Sequence, residues 1–91
     1  MARNVHREDR FNEQLRKIES DHHKAEALVE GPIWVLSREP SCGSNIRESS
    51  VWYILSNDVP NDRTLIIWYT FNPEVVILLS VTVASDDDDL P

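Results

Sequence analysis

Apolar and polar residues follow two different periods in the two halves of the chain. In the first half, six positions recur at intervals of three and four, the spacing of one helix face: Phe11, Leu15, Ile18, His22, Ala25 and Val29. This pattern predicts a helix that Asp9 caps at its start. Gly31-Pro32 interrupts it, and Pro32 is predicted to begin a second helical segment that ends before Pro40.

The most apolar stretch lies in the second half, at residues 63–83, "RTLIIWYTFNPEVVILLSVTV". A membrane-spanning helix needs about 20 apolar residues without a break. Here Asn72-Pro73-Glu74 stands in the middle, where a helix would lose a hydrogen bond and bury a charge. The stretch therefore predicts a β-hairpin with strands at Thr64–Phe71 and Val75–Val83, and no membrane association is expected.

A third strand is predicted at Val51–Ser56, "VWYILS", and a short fourth one near Arg3–Arg7. The predicted fold class is α+β, with an N-terminal helical hairpin packed on one face of a small, mainly antiparallel sheet of three to four strands. Residues 1–85 are predicted to form a single domain. Residues 86–91, which include four consecutive aspartates, are predicted to be an acidic disordered tail.

The predicted strands are apolar on both faces, but the helices cover only one face. An uncovered apolar surface usually marks a contact site. We therefore expect a protein partner, or a second copy of the chain, to bind five residues: Trp52, Ile54, Ile66, Trp68 and Leu78. The alternative is that loops and the C-terminal tail fold over this face.

The net charge narrows the classes of partner. Nine Lys and Arg against sixteen Asp and Glu give a net charge of −7 in 91 residues, and a chain this acidic repels a phosphate backbone. General binding to nucleic acid is therefore not expected. The N-terminus "MARNVHREDR" has no apolar signal-peptide core, so we expect a cytoplasmic location.

Neither a metal nor another cofactor is expected. His22 and His23 each have a carboxylate four residues away on the same helix face, Glu26 and Glu19 respectively, but two ligands are too few for a metal. His22 is expected to cover the core instead. Cys42 is the only cysteine, which excludes an intrachain disulfide, and it has no identifiable base for nucleophilic catalysis.

A few polar residues on or beside the predicted sheet could contact phosphate or transfer protons on RNA. Arg63, Arg47 and Tyr69 are the catalytic candidates, with Tyr53 beside them. No positioned acid–base pair is evident among them, and surface ion pairs and core aromatics are their ordinary structural roles.

The order of helices, proline-bounded loop and strands resembles that of the RelE/ParE superfamily of toxins over about residues 5 to 85. The segments that carry the resemblance are "FNEQLRKI", "IWVLSREP", "VWYILS" and "IIWYTFNPEVVILLSV". The resemblance implies the small toxin of a toxin–antitoxin pair, either a ribosome-dependent messenger-RNA endonuclease or an inhibitor of DNA gyrase, neutralised by an antitoxin segment that wraps its surface.

The chain departs from that superfamily where the nucleases carry cationic side chains. On the first strand of the meander, the matching positions are Tyr53 and Leu55. Entering the next strand, Arg63 is displaced and Ile66 stands closer to the matching place. RNA cleavage without a metal needs cations to stabilise charge on the phosphate. We therefore expect a toxin-type domain that acts by protein–protein contact, with a ribosome-dependent endonuclease and a self-associating accessory protein as the alternatives.

Overall fold

The two periods of the sequence correspond to two helices and a sheet. The computed structural model describes residues 2–58 and 62–84. Its elements are β1 (Asn4–Arg7), α1 (Asp9–Ile18), α2 (His22–Arg38), a 3₁₀ turn (Pro40–Cys42), β2 (Ser44–Asn45), β3 (Trp52–Asp58), β4 (Arg63–Phe71) and β5 (Val75–Ala84). The predicted tail at 86–91 and the middle of the predicted loop, 59–61, lie outside the described residues.

The strands form one sheet in the order β1-β5-β4-β3-β2. The α+β class with helices packed on a sheet is confirmed, but the described sheet has five strands and is mixed, because β1 pairs in parallel with β5. Parallel strands need a long connection that crosses over the sheet. The two helices after β1 provide this crossover, so that β1 and β5 can run in the same direction. β2 was not predicted, because a strand of two residues shows no hydrophobic period in the sequence.

A single cluster of buried side chains joins the helices to the sheet. From α1 and α2 it takes Phe11, Leu15, Ala25, Val29 and Leu36, and from β4 and β5 it takes Leu65, Ile67, Tyr69, Val76, Leu78 and Val81. Burying one such large side chain stabilises a fold by about 1.5–3 kcal/mol. Because residues of both helices pack on the same strand positions, both helices lie on one face of the sheet.

The break between the helices differs from the prediction. α1 ends at Ile18, and α2 begins at His22 with the Asp21 carboxylate accepting a hydrogen bond from the Lys24 N–H at 3.1 Å. This capping bond stabilises a new helix start, although the apolar period continues through the break. The prediction that His22 covers the core was wrong, since His22 is exposed.

The predicted helix start at Pro32 was also wrong, because α2 continues through Pro32 without a break. A proline inside a helix removes one main-chain hydrogen bond. Here Val29 and Leu36, on either side of Pro32, are both fully buried in the shared core. Their packing on the sheet holds the helix together across the proline.

The predicted hairpin is confirmed, with its turn at Asn72-Pro73-Glu74. The Asn72 side-chain oxygen accepts hydrogen bonds from the N–H groups of Glu74 at 2.8 Å and Val75 at 2.9 Å. Asparagine commonly closes turns in this way. The turn sets the two strands in register, so that Phe71 pairs with Val76.

A β-bulge shifts this register further along the hairpin. Tyr69 pairs with Leu78 but Trp68 pairs with Ser80, which leaves Leu79 without an opposing residue. The extra residue explains why Leu78 and Val81, three positions apart, are both buried on the helix side. Gln14 of α1 lies beside the bulge, and its side-chain oxygen accepts hydrogen bonds from the Ser80 hydroxyl and the Val81 N–H.

Candidate protein-binding face of the sheet

One face of the sheet has no described element packed on it. Strand pairing places Tyr53 opposite Trp68, Leu55 opposite Ile66, and Thr70 opposite Ile77. These alternate with the buried residues of β4, so they point away from the helices. We call this surface the helix-free face and define it by five residues: Tyr53, Leu55, Ile66, Trp68 and Ile77.

The helix-free face is apolar and partly solvent-accessible. The Leu55 side chain is 58% exposed, the highest exposed fraction on this face. The ring centroids of Tyr53 and Trp68 lie 5.4 Å apart, with the rings tilted by 49°. Cross-strand aromatic pairs of this kind are stabilising, so the two rings form one aromatic surface on this face.

The five residues that define the helix-free face are uncharged, on a chain with sixteen acidic and nine basic residues, and His6 of β1 lies in register with Ile77 at the rim of the face. The positions that the described strands β3, β4 and β5 direct to this side include, besides the five defining residues, Asn57, Thr64, Thr70, Thr82 and Ala84. None of these described positions is Lys, Arg, Asp or Glu. Such a surface suits an apolar partner, and these positions offer a phosphate hydroxyl and amide groups but no cation.

The five predicted partner-binding residues divide between the two faces. Ile66 and Trp68 lie on the helix-free face. Trp52, Ile54 and Leu78 do not, which corrects the prediction. Trp52 and Ile54 pack against the helix-side core, and Leu78 is fully buried there opposite Tyr69. Because both faces of β3 are apolar, alternation alone did not indicate which set the helices cover.

Tyr53, Leu55 and Ile77 complete the face and were absent from the predicted partner-binding set. A sequence signal existed for the first two, since they alternate with Trp52 and Ile54 along β3. Tyr53, Leu55 and Ile66 are also the positions at which the resemblance to RelE-type nucleases implies cationic side chains. All three lie together on the helix-free face.

Tyr69 is fully buried on the helix side, where its hydroxyl donates a hydrogen bond to the Pro40 carbonyl oxygen. Burial raises the pKa of Tyr69 to about 12, and nearby Cys42 contributes in the same direction. A tyrosine in this position holds the 3₁₀ turn against the sheet. Gly43 follows that turn, and a Cβ there would collide with the Tyr69 hydroxyl and the Tyr53 carbonyl oxygen.

The other two catalytic candidates lie at opposite ends of β3. Arg63 begins β4 opposite Asp58, and its guanidinium donates to the Ile18 carbonyl oxygen at the end of α1, at 3.4 Å. Arg47 is exposed in the turn between β2 and β3, beyond the end of β3 at which Trp52 pairs with Tyr69. Six residues of extended strand span about 20 Å, so the structure does not bring Arg63, Arg47 and Tyr69 together.

Metal-binding side chains do not converge in the part of the chain that the structure describes. No group of three or more His, Cys, Asp or Glu residues there could hold a metal ion. His22 and His23 contact each other edge to face, with ring centroids 5.8 Å apart, and both are exposed. Cys42 is a free, exposed thiol.

The sequence matches no protein-family model and no curated protein. Within residues 2–58 and 62–84, neither helix is long and apolar enough to cross a membrane.

Proposed function

We propose that this protein is a cytoplasmic toxin-type domain that acts by binding another protein through the helix-free face, without cleaving RNA. The observation that carries the proposal is the uncharged aromatic surface around Tyr53 and Trp68. Apolar surface of this kind gains free energy by leaving water, at about 25 cal/mol per Å² buried. The resemblance of about residues 5 to 85 to the RelE/ParE superfamily supports the toxin role.

The same face argues against the nuclease alternative. Cleavage of RNA without a metal needs cations around the reacting phosphate. The described strand positions of this face provide hydroxyls and apolar side chains instead. Arg63 is the arginine nearest to a position at which the RelE-type nucleases carry a cation. Its guanidinium contacts the end of α1, on the helix side of the sheet.

Induced expression in a bacterial host tests the proposal through growth and protein synthesis. Leu55→Lys places a charge on the exposed part of the face without removing a buried side chain. Val35→Lys is the matched control, since Val35 is 37% exposed on α2, on the other side of the sheet. We expect the wild type and Val35→Lys to arrest growth and Leu55→Lys to permit it.

An Arg63→Ala variant separates contact from RNA chemistry in the same assay. Arrest by Arg63→Ala, with messenger RNA intact in all strains, agrees with the proposal. RNA cleavage that the wild type performs and Arg63→Ala loses would show a nuclease instead. Normal growth with the wild type would remove the toxin role.

Self-association is a second candidate use of the face, because an uncharged face meets its own copy without charge repulsion. A symmetric dimer would bury the same residues of both copies. Sedimentation equilibrium distinguishes this case. A wild-type dimer that Leu55→Lys converts to monomer, while Val35→Lys does not, would identify a second copy as the partner.

A further inference from the structure

The outer edge of β1 has main-chain groups that no described strand uses. The N–H groups of Asn4 and Glu8 donate to the carbonyl oxygens of Glu74 and Leu78, at 3.1 and 3.0 Å. Successive residues of a strand direct their main-chain groups to alternate sides. The N–H and C=O groups of Val5 and Arg7 therefore point away from β5, at the edge of the sheet.

Helix α2 runs alongside this edge, and hydrogen bonds join the two at both ends. The Arg3 N–H donates to the Ser37 carbonyl oxygen at 2.7 Å, near the end of α2. At the other end, the Arg7 guanidinium makes two hydrogen bonds of 2.8 Å to the Glu26 carboxylate. Because Arg3 meets Ser37 and Arg7 meets Glu26, α2 is antiparallel to β1.

A groove of about 410 Å³ lies between these two contacts. Its lining residues on α2 share one helix face, and together with β1 they are Arg7, Glu26, Glu30, Ile33, Trp34 and Ser37. We call it the edge groove. Its one lining residue from β1 is Arg7, whose main-chain groups point to the outer edge, and its other lining residues belong to α2.

The wall of the edge groove has an apolar part and an acidic part. Trp34 is 58% exposed, with the Arg38 guanidinium 4.1 Å from its ring centroid, and Ile33 is half-buried beside it. Glu26 is already neutralised by Arg7. Glu30 is exposed, and no described residue forms an ion pair with it.

We propose that the edge groove binds an extended peptide segment of a partner protein. The segment adds to β1 as a further strand and directs a lysine or arginine to Glu30 and an apolar side chain to Trp34. Main-chain hydrogen bonds at a sheet edge supply affinity, and alternate side chains supply specificity. The acidic balance of the whole chain, −7, favours such a basic segment. This site is separate from the helix-free face and does not depend on its function.

The probe is a synthetic peptide, acetyl-Thr-Leu-Thr-Lys-Thr-Leu-Thr-amide, whose lysine and leucines share one side when it is extended. It is added to the full ¹⁵N-labelled chain, and NMR follows each amide. We expect slower hydrogen exchange at the Val5 and Arg7 amides and a shifted Trp34 indole signal. The same peptide with Glu in place of Lys should bind more weakly.

Two further peptides test the main-chain contact, N-methylated at alternate residues in the two opposite phases. Only one phase faces β1, so one peptide should lose binding and the other should keep it. Glu30→Lys should weaken binding about fivefold. Glu13→Lys, at an exposed position of α1, carries the same charge change and should leave it unaltered. Circular dichroism checks that both variants fold.

Several outcomes would overturn the proposal. The first is unchanged hydrogen exchange at the Val5 and Arg7 amides with millimolar peptide. The second is the same loss of binding for both methylated peptides. The third is the same peptide affinity of the Glu30→Lys and Glu13→Lys variants. Peptide-induced shifts at Trp68 with none at Trp34 would place the peptide on the helix-free face instead.

Discussion

The Gln14 side-chain oxygen takes the place of a strand partner for Val81. It accepts the Val81 N–H at 2.9 Å and the Ser80 hydroxyl at 2.7 Å. β1 pairs with β5 only as far as Leu78, so beyond that point no described strand lies beside the outer edge of β5. Gln14 satisfies a main-chain donor at this edge, next to the bulge at Leu79.

Replacing Gln14, a residue of α1, should therefore destabilise the hairpin formed by β4 and β5. Gln14→Ala leaves the partly buried Val81 N–H without its acceptor, and we expect the free energy of unfolding to fall by about 1–2 kcal/mol. Urea unfolding measures the change, and hydrogen exchange at Val81 should accelerate. Glu13→Ala, an exposed neighbour in α1, controls for helix propensity. Equal effects of the two substitutions would contradict the role of Gln14.

Acid should weaken the link between β1 and α2. Hydrogen bonds from Arg7 lower the pKa of Glu26 below its usual 4.5. As the pH falls below 4.5, the unfolded chain takes up the proton first, so stability is lost until the folded-state pKa is passed. We expect Glu26→Gln to reduce this acid-dependent loss.

The carboxyl ¹³C signal of Glu26 gives a direct measurement of the same effect. In an Arg7→Gln variant the main cause of the lowered pKa is absent, and the Glu26 titration should move back toward 4.5. An unchanged midpoint in Arg7→Gln would show that Arg7 is not the cause.

Alkali should act through Tyr69. Its pKa is about 12 because the side chain is buried, whereas in the unfolded chain it is about 10. Between pH 10 and 12 the unfolded state loses the proton and the folded state keeps it, so the free energy of unfolding decreases as the pH rises. Tyr69→Phe should remove this decrease.

Tyr69→Phe should also cost about 1 kcal/mol at neutral pH, because the Pro40 carbonyl oxygen loses its donor. Absorbance at the tyrosinate band follows the ionisation of the folded chain. The step near pH 12 should be missing in Tyr69→Phe. A wild-type titration without that step would contradict the assignment.

The turn between β2 and β3 should accept a stabilising substitution. Arg47 and Glu48 have φ values of 28° and 58°, and the Ser49 N–H donates to the Ile46 carbonyl oxygen at 2.8 Å. Residues with a Cβ are strained at positive φ, and glycine is not. We expect Glu48→Gly to raise the free energy of unfolding by about 0.5 kcal/mol. Glu48→Ala keeps the Cβ and should give no such gain in a thermal melt.

The local elements of this fold could be read from the sequence. Asn72-Pro73 predicts the hairpin turn because proline cannot continue a helix, and because an asparagine side chain accepts hydrogen bonds from main-chain N–H groups just after it. The alternation of Leu65, Ile67 and Tyr69 indicates one side of β4, and all three are buried together. These features depend on residues close in the chain, so their physical causes are visible in the sequence.

The continuation of α2 through Pro32 and the two faces of the sheet depend on contacts between distant residues. The burial of Val29 and Leu36 in the shared core overrides the proline signal at Pro32, whereas the cap at Asp21 is a local contact with Lys24 that the apolar period obscured. Likewise, β3 is apolar on both sides. Only packing against α2 determines that Trp52 faces the helices and that Tyr53 faces away from them.

The sequence by itself determined the hairpin of β4 and β5 with its turn at Asn72-Pro73-Glu74, and which residues share a side of β4. The tertiary structure decided which side the helices cover, where the register shifts at Leu79, and that β1 returns to pair in parallel with β5. Alternation specifies that neighbours point to opposite sides, but it carries no information about which side is buried. That choice follows from the free energy of packing α1 and α2 on one face, which leaves Tyr53 and Trp68 on the other.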